Sequence, residues 1–195
     1  MRRDIRTAAA ALLILTILLG FGYSLALTGI SQVLFGDRAD GSRVTDEGRV
    51  AGSKLIGQDF SDDDSYFQSR PSASGYAGDA TAFSNLGPNS RRLARQLSAR
   101  ADAYLKLEGP YNAGLTRAEI PPDAVMTSAS GVDPMISVAN ARIQANRVAA
   151  VREMPVAEVD ALIDEHTTGR GLGFLGEPGV NVLELNLALD GVEPR

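Results

Sequence analysis

Gly171-Leu172-Gly173-Phe174-Leu175-Gly176 has the G-x-G-x-x-G spacing that lets a backbone approach a pyrophosphate. That chemistry needs a strand before the motif and a helix after it, so that free helix amides face the phosphates. Here a helical pattern precedes the motif and a strand-like alternation of leucines follows it. The spacing therefore predicts a tight turn. Gly48-Arg49-Val50-Ala51-Gly52-Ser53-Lys54 has the residue types of a phosphate loop in the wrong spacing, and predicts a short connector with an exposed lysine. Asp62-Asp63-Asp64 lacks the alternating ligands and turn glycine of a calcium loop, so it reads as a solvated acidic loop. His166 falls near a predicted helix end, where a partial positive charge is favourable. Residues 128–134 join a predicted strand to a helix N-terminus, whose amides can hold an anion or a partner's carboxylate. Simple capping by Ser130 or Asp133 is the alternative. No base accompanies these serines, so seryl chemistry is not indicated.

Composition narrows the classes further. There is no cysteine and a single histidine. Disulfides, thiol catalysis and cysteine- or histidine-rich metal sites are excluded. We expect no catalytic residue and no metal ligand on this chain. Net charge is −5 and the pI is about 4.9, so the basic footprint of a nucleic-acid binder is missing. Arg91, Arg92, Arg95 and Arg100 do cluster, but Asp102 and Glu108 follow them, and a solvated helix face is the expectation.

The elements that must carry these residues begin with an anchor. Residues 8–27 are uncharged and strongly apolar, and twenty helical residues cover about 30 Å, the hydrocarbon thickness. Apolar character continues through Ile30, Val33, Leu34 and Phe35, so a helix to about Gly36 is expected. Arg2, Arg3 and Arg6 precede the run, and the next basic residue is Arg38. The positive-inside bias puts the N-terminus in the cytoplasm and the rest outside. A cleaved signal peptide, with Ser24-Leu25-Ala26 as its site, is the alternative, and it exports the same domain. Residues 1–7 are thus a cytoplasmic tip, 8–34 a transmembrane helix, and 35–195 an extracytoplasmic domain.

In that domain, residues 37–52 read as a polar connector and residues 50–60 as containing a short strand. Residues 61–87 are a long loop with four aromatics, Tyr66, Phe67, Tyr76 and Phe83. A loop this long is functional or disordered. A helix from Asn89 or Ser90 to about Leu107 shows Leu93, Leu97, Ala101 and Leu105 on one face and stops at Gly109-Pro110. A strand over 124–127, a helix from Asp133-Pro134 to Arg152, and a helix over 156–165 follow. Residues 181–190 alternate Leu183, Leu185, Leu187 and Leu189 with Glu184, Asn186 and Ala188, which predicts a half-buried strand. The fold class is one N-terminal transmembrane α-helix plus a small mixed α/β domain, its strands joined by right-handed crossovers.

Several motifs in order carry a resemblance. They are Gly52-Ser53-Lys54-Leu55-Ile56-Gly57-Gln58, Tyr66-Phe67-Gln68-Ser69-Arg70-Pro71-Ser72-Ala73, and Ser84-Asn85-Leu86-Gly87-Pro88. Pro122-Asp123-Ala124-Val125-Met126-Thr127-Ser128, Asp133-Pro134-Met135-Ile136-Ser137 and Gln144-Ala145-Asn146-Arg147-Val148-Ala149 follow. Gly176-Glu177-Pro178 and Asn181-Val182-Leu183-Glu184-Leu185-Asn186-Leu187 complete the set. Together with the anchor, they make the chain resemble the C subunit family of the Kdp potassium-transporting ATPase over nearly its whole length. Ala129, Val132, Met135 and Gly179 depart from the usual pattern.

The resemblance implies an accessory subunit of an ATP-driven potassium uptake pump. Its partners would be a channel-like potassium-binding subunit, a P-type ATPase subunit and a small single-helix subunit, besides the lipid bilayer. ATP and potassium would belong to the complex, with no cofactor bound firmly by this chain. The family's role is to assist assembly and raise the ATP affinity of the ATPase subunit, and Gln144 matches the glutamine proposed to serve the nucleotide. No Asp-Lys-Thr occurs, so the phosphorylated aspartate of such pumps lies elsewhere. The predicted topology places Gln144 outside the cytoplasm, which favours an indirect effect on ATP. Tyr66, Phe67, Arg70, Asn85 and Asp133 are the expected partner contacts. A membrane-anchored extracytoplasmic enzyme and a stand-alone solute-binding module are the other classes.

Overall fold

A computed structural model describes residues 1–46, 48–79 and 84–191. Phe83 lies outside them. The chain divides into two compact units, Met1–Arg43 and Val44–Arg195.

The first unit is a helix, Arg2–Ala39, long and apolar enough to cross a membrane. It consists of α1 (Arg2–Leu15), π-type turns over Thr16–Tyr23, and α2 (Ser24–Ala39). Gly20 and Gly22 lie in the widened turns, and the Ser24 hydroxyl donates to the Leu19 carbonyl at 3.2 Å, five residues back. Phe35 departs from helical geometry. At 1.5 Å per residue the helix covers about 57 Å, more than a hydrocarbon core, so its ends extend beyond any apolar slab.

The second unit is a small mixed domain. The expected connector carries a two-stranded sheet, β1 (Arg43–Asp46) and β2 (Arg49–Ser53). From there to α3 (Arg91–Glu108) the described residues form no helix or strand. Ser90 caps α3 by accepting from the Leu93 amide, and Gly109-Pro110 ends it, as the sequence predicts. α4 (Pro122–Val125) is a single helical turn where a strand was expected, because Pro121 and Pro122 set helical entry angles and the Met126 amide closes on Pro122.

β3 (Met135–Ser137) precedes α5 (Val138–Val151), so the helix begins later than Asp133-Pro134. α6 (Val156–Glu165) follows Pro155 as expected. β4 (Thr167–Thr168), β5 (Gly179–Asn181) and α7 (Val182–Leu189) complete the domain. The sheet order is β3-β5-β4 and both pairings are antiparallel, with Ile136 opposite Val180 and Thr167 opposite Val180. The expected right-handed crossovers between parallel strands are therefore replaced by antiparallel pairing.

The clearest correction concerns residues 182–189, which are helix instead of strand. Val182, Leu185, Asn186 and Leu189 are buried, an i, i+3, i+4, i+7 stripe. The leucine alternation satisfies period two by coincidence. Asn181 accepts from the Glu184 amide at 3.2 Å and starts the helix, and residues 183–190 include no β-branched residue to favour a strand.

The core joins Ile136 and Val180 of the sheet to Ala141, Ala145, Val148 and Ala149 of α5, Val159 and Ile163 of α6, and Val182, Leu185 and Leu189 of α7. Phe67, from the irregular segment, is buried among them at 0% exposure. The small residues of α5 let α6 approach closely. Leu185→Ala should cost about 2–5 kcal/mol, and Leu187→Ala, half-buried on the helix, clearly less. Urea unfolding of the full chain in detergent checks the pair, since a strand would make the two losses alike.

Candidate functional site

α5 is buried on two sides. Its alanine side meets α6, and its other side carries Asn140, Gln144 and Arg147, all buried polar groups. These point at the irregular segment and at α3. Burying them is tolerable only if their donors and acceptors are paired.

Arg147 is wholly buried, and its Nε donates to Glu108 Oε1 at 2.9 Å. Its Nη1 donates to the carbonyls of Asp64 and of Tyr66, and its Nη2 to Gln144 Oε1 at 3.1 Å. Gln144 Oε1 also accepts from the Gln68 amide at 2.7 Å, while its Nε2 donates to the Gln68 carbonyl and to Asn140 Oδ1. All four hydrogen-bonding positions of the Gln144 amide are thus used within the chain. Asn186 of α7 does the same to the preceding residue, accepting from the Phe67 amide at 2.8 Å and donating to its carbonyl at 2.9 Å. Arg152 adds a bond to the Ser65 carbonyl, an ion pair with Asp190 at 2.8 Å, and a face contact with the Tyr66 ring. Side chains therefore do for residues 64–68 what a neighbouring strand would do.

Beside Gln144 lies a cavity of about 290 Å³ whose walls include Asp59, Gln68, Tyr76, Arg100, Tyr104, Glu108 and Asn140. Burial pushes Glu108 above the usual carboxylate range, against the pull of Arg147. Burial, reinforced by Glu108, also drives Tyr104 up, and burial pushes Tyr76 up to about 12. Both phenols therefore keep their protons and act as donors, Tyr104 to Asn140 Oδ1 at 2.9 Å and Tyr76 to the Arg70 carbonyl at 2.7 Å. Glu108 Oε2 is buried without a hydrogen-bond partner among the described residues. The walls offer hydrogen bonds and ring faces.

The α5 N-terminus already has its anion. Ser137 caps it, accepting from the Asn140 amide at 3.1 Å, and Asp123 of α4 accepts from the Ser137 amide, the Ser137 hydroxyl and Asn140 Nδ2. The expected caps serve the turn instead: Ser130 Oγ accepts from Val132 and Asp133 Oδ1 from Met135. The other oxygen of Asp133 pairs with Arg70 at 2.7 Å. His166 ends α6, with its ring Nδ1 at 2.9 Å from the Leu162 carbonyl. Lys54, expected to be exposed, is half-buried and pairs with Glu184 at 2.7 Å. Asp63 is exposed, and hydrogen bonds from Ser65 hold its carboxyl low. Among the described residues no group of three or more His, Cys, Asp or Glu could hold a metal.

The expected contact residues separate by position. Asn85 is exposed, Tyr66 half-buried, and Arg70 and Asp133 lie together as a partly exposed pair. Phe67 is a correction: it is an inner anchor, with no surface for a partner. Glu108 is another, since it leaves the solvated face assigned to it and sits 1% exposed. Glu108 continues a stripe of half-buried Leu97, buried Ala101 and half-buried Tyr104, so its place on that inner face was the available signal. Arg147, inside an Ala- and Val-rich helix, was its counterpart.

A profile of the family described as "K+-transporting ATPase, c chain" matches residues 5–191. The chain belongs to the KdpC family. A relative named "Potassium-transporting ATPase KdpC subunit" from Sorangium cellulosum (strain So ce56) is 50% identical over 194 residues, covering 98% of this chain and 99% of the relative. Relatives with the same name from Mycobacterium tuberculosis (strain ATCC 25618 / H37Rv) and Nitratidesulfovibrio vulgaris are each 47% identical. They cover 97% and 96% of this chain, and 99% and 94% of their own lengths. The KdpC resemblance drawn from the motifs is thus supported over residues 5–191.

Two outcomes follow from the buried pair. Arg147→Met should cost about 3–5 kcal/mol, because it strands the Glu108 carboxylate. Adding Glu108→Leu should recover part of that in urea unfolding, leaving the lost loop contacts. For pH, the folded state holds the Glu108 proton more tightly than the unfolded chain does. Its contribution is most favourable below the ordinary glutamate range and is lost as pH rises through the elevated folded value. Glu108→Gln should remove that downward component from the stability-against-pH curve.

Proposed function

We propose that this KdpC-family chain is a non-catalytic accessory subunit of an ATP-driven potassium uptake pump. The carrying observation is the family match over residues 5–191, together with relatives named as subunits of a potassium-transporting ATPase. The Arg2–Ala39 helix is its anchor in the plasma membrane. Arg2, Arg3 and Arg6 orient the anchor with the N-terminus in the cytoplasm and the domain outside. Its partners are the channel-like potassium-binding subunit, the P-type ATPase subunit and the small single-helix subunit, and its contribution is to stabilise their assembly.

The same reading makes any effect on ATP indirect. Gln144 has all its hydrogen bonds committed to Gln68, Asn140 and Arg147. The cavity beside it, about 290 Å³ with Asp59 and Glu108 against Arg100 as the one lining arginine among the described residues, suits a triphosphate poorly. Gln144 instead positions the 64–68 segment, whose outer surface, with Tyr66, Asn85 and the Arg70–Asp133 pair, meets the partner subunits. Coupling through the complex then raises ATP affinity.

Pull-down of the tagged full chain in mild detergent should bring the other pump subunits with it. In the assembled pump, Gln144→Ala should raise the apparent KM for ATP by loosening the segment, while the purified full chain alone shows no micromolar ATP binding. Micromolar binding by the lone chain, abolished by Gln144→Ala, would restore a direct contact.

A further inference from the structure

The turn between β4 and β5 is absorbed neither by the core nor by the buried polar cluster. Leu172, Phe174 and Leu175 are 85%, 69% and 53% exposed. A scattered surface leucine is ordinary, but three large apolar side chains within four residues form a patch. No charged or polar side chain lies between Arg170 and Glu177.

The turn is folded on itself. The amides of Gly171 and Leu175 donate across it to Leu175 and Gly171 at 2.8 Å each, Gly173 donates to Arg170 at 3.1 Å, and Phe174 donates to Gly171 at 3.2 Å. Gly173 and Gly176 take φ of +82° and +79°, and Leu172 is held at +52°, a left-handed conformation that costs a leucine side chain energy. The tip thus shows its side chains while keeping these four amides satisfied internally. That combination suits an apolar medium, where an unpaired amide is costly. Arg170 Nη2 pairs with Glu177 Oε2 at 2.6 Å at the base of the tip, where a guanidinium can also meet phosphate headgroups.

Three side chains are few for a stable protein interface, which buries about 800 Å² per partner. They are enough for a contact that is effectively intramolecular. Here only Asp40, Gly41 and Ser42 separate the apolar helix from β1, so the domain is tethered at a bilayer. We propose that residues 171–176 form a membrane-surface tip, with Leu172, Phe174 and Leu175 entering the interfacial layer of the lipid and Arg170 at the headgroups. The proposal rests on the reading of Arg2–Ala39 as a retained anchor.

The chain has no tryptophan, so Phe174→Trp supplies a single reporter. The full-length variant is reconstituted in phosphatidylcholine–phosphatidylglycerol vesicles, with and without brominated acyl chains. Blue-shifted emission, loss of intensity in the brominated vesicles and weak quenching by iodide are expected. Adding Leu172→Ser and Leu175→Ser should return the emission to that of a hydrated indole. Water-like emission untouched by brominated lipid overturns the proposal. So does a blue shift that appears only when the other pump subunits are present, which would assign the tip to a protein partner. Carbonate extraction separates the two readings. Retention with a hydrated tip rejects the tip alone, whereas release from the vesicles rejects the anchor and the tip together.

Discussion

A segment that is neither helix nor strand must still have its buried backbone groups paired. That constraint governs the domain. Residues 64–68 run beside α5 and α7 with Phe67 buried, and their amides and carbonyls are met by Arg147, Gln144, Asn186 and Arg152. Those side chains must in turn be held. Arg147 is neutralised by Glu108 of α3, and Gln144 is oriented by Asn140, itself tied to Tyr104 and Asp123. One network thus links α3, α4, α5, α7 and the irregular segment, and Phe67 fixes the segment from the apolar side.

This arrangement explains how residues 64–68 are held in place without helix or strand. A surface built on it is as rigid as the helices that grip it, yet it is held by a few replaceable side chains. Moving Gln144 or Arg147 would move the backbone between Asp64 and Gln68 directly. A change at Tyr66, whose carbonyl accepts from Arg147, can therefore reach α3 and α5 through contacts that are already present.

The family match covers residues 5–191, including most of the apolar N-terminal helix. The geometry shows that the glutamine singled out by the resemblance has its bonding capacity used locally, which favours a positioning role over contact with a triphosphate.

Local chemistry was readable directly from the residues. The apolar run of the first helix, the Ser90 cap, the Gly109-Pro110 stop, the helix after Pro155 and the tight turn at residues 171–176 each depend on neighbours in the chain. Family membership was readable because long motifs recur in order. What depends on partners distant in sequence was not readable. The leucines of residues 183–189 satisfied two periods at once, and only the burial of Val182, Leu185, Asn186 and Leu189 against the rest of the core made that segment a helix. Glu108 and Arg147 look like surface charges until α3 and α5 are brought together across 39 residues. Phe67 became an anchor and Asn186 a substitute strand partner because the chain returns over 119 residues to pair them. Spacing along the chain encodes propensity, whereas the pairing of buried charge and backbone is decided only when the tertiary fold removes water.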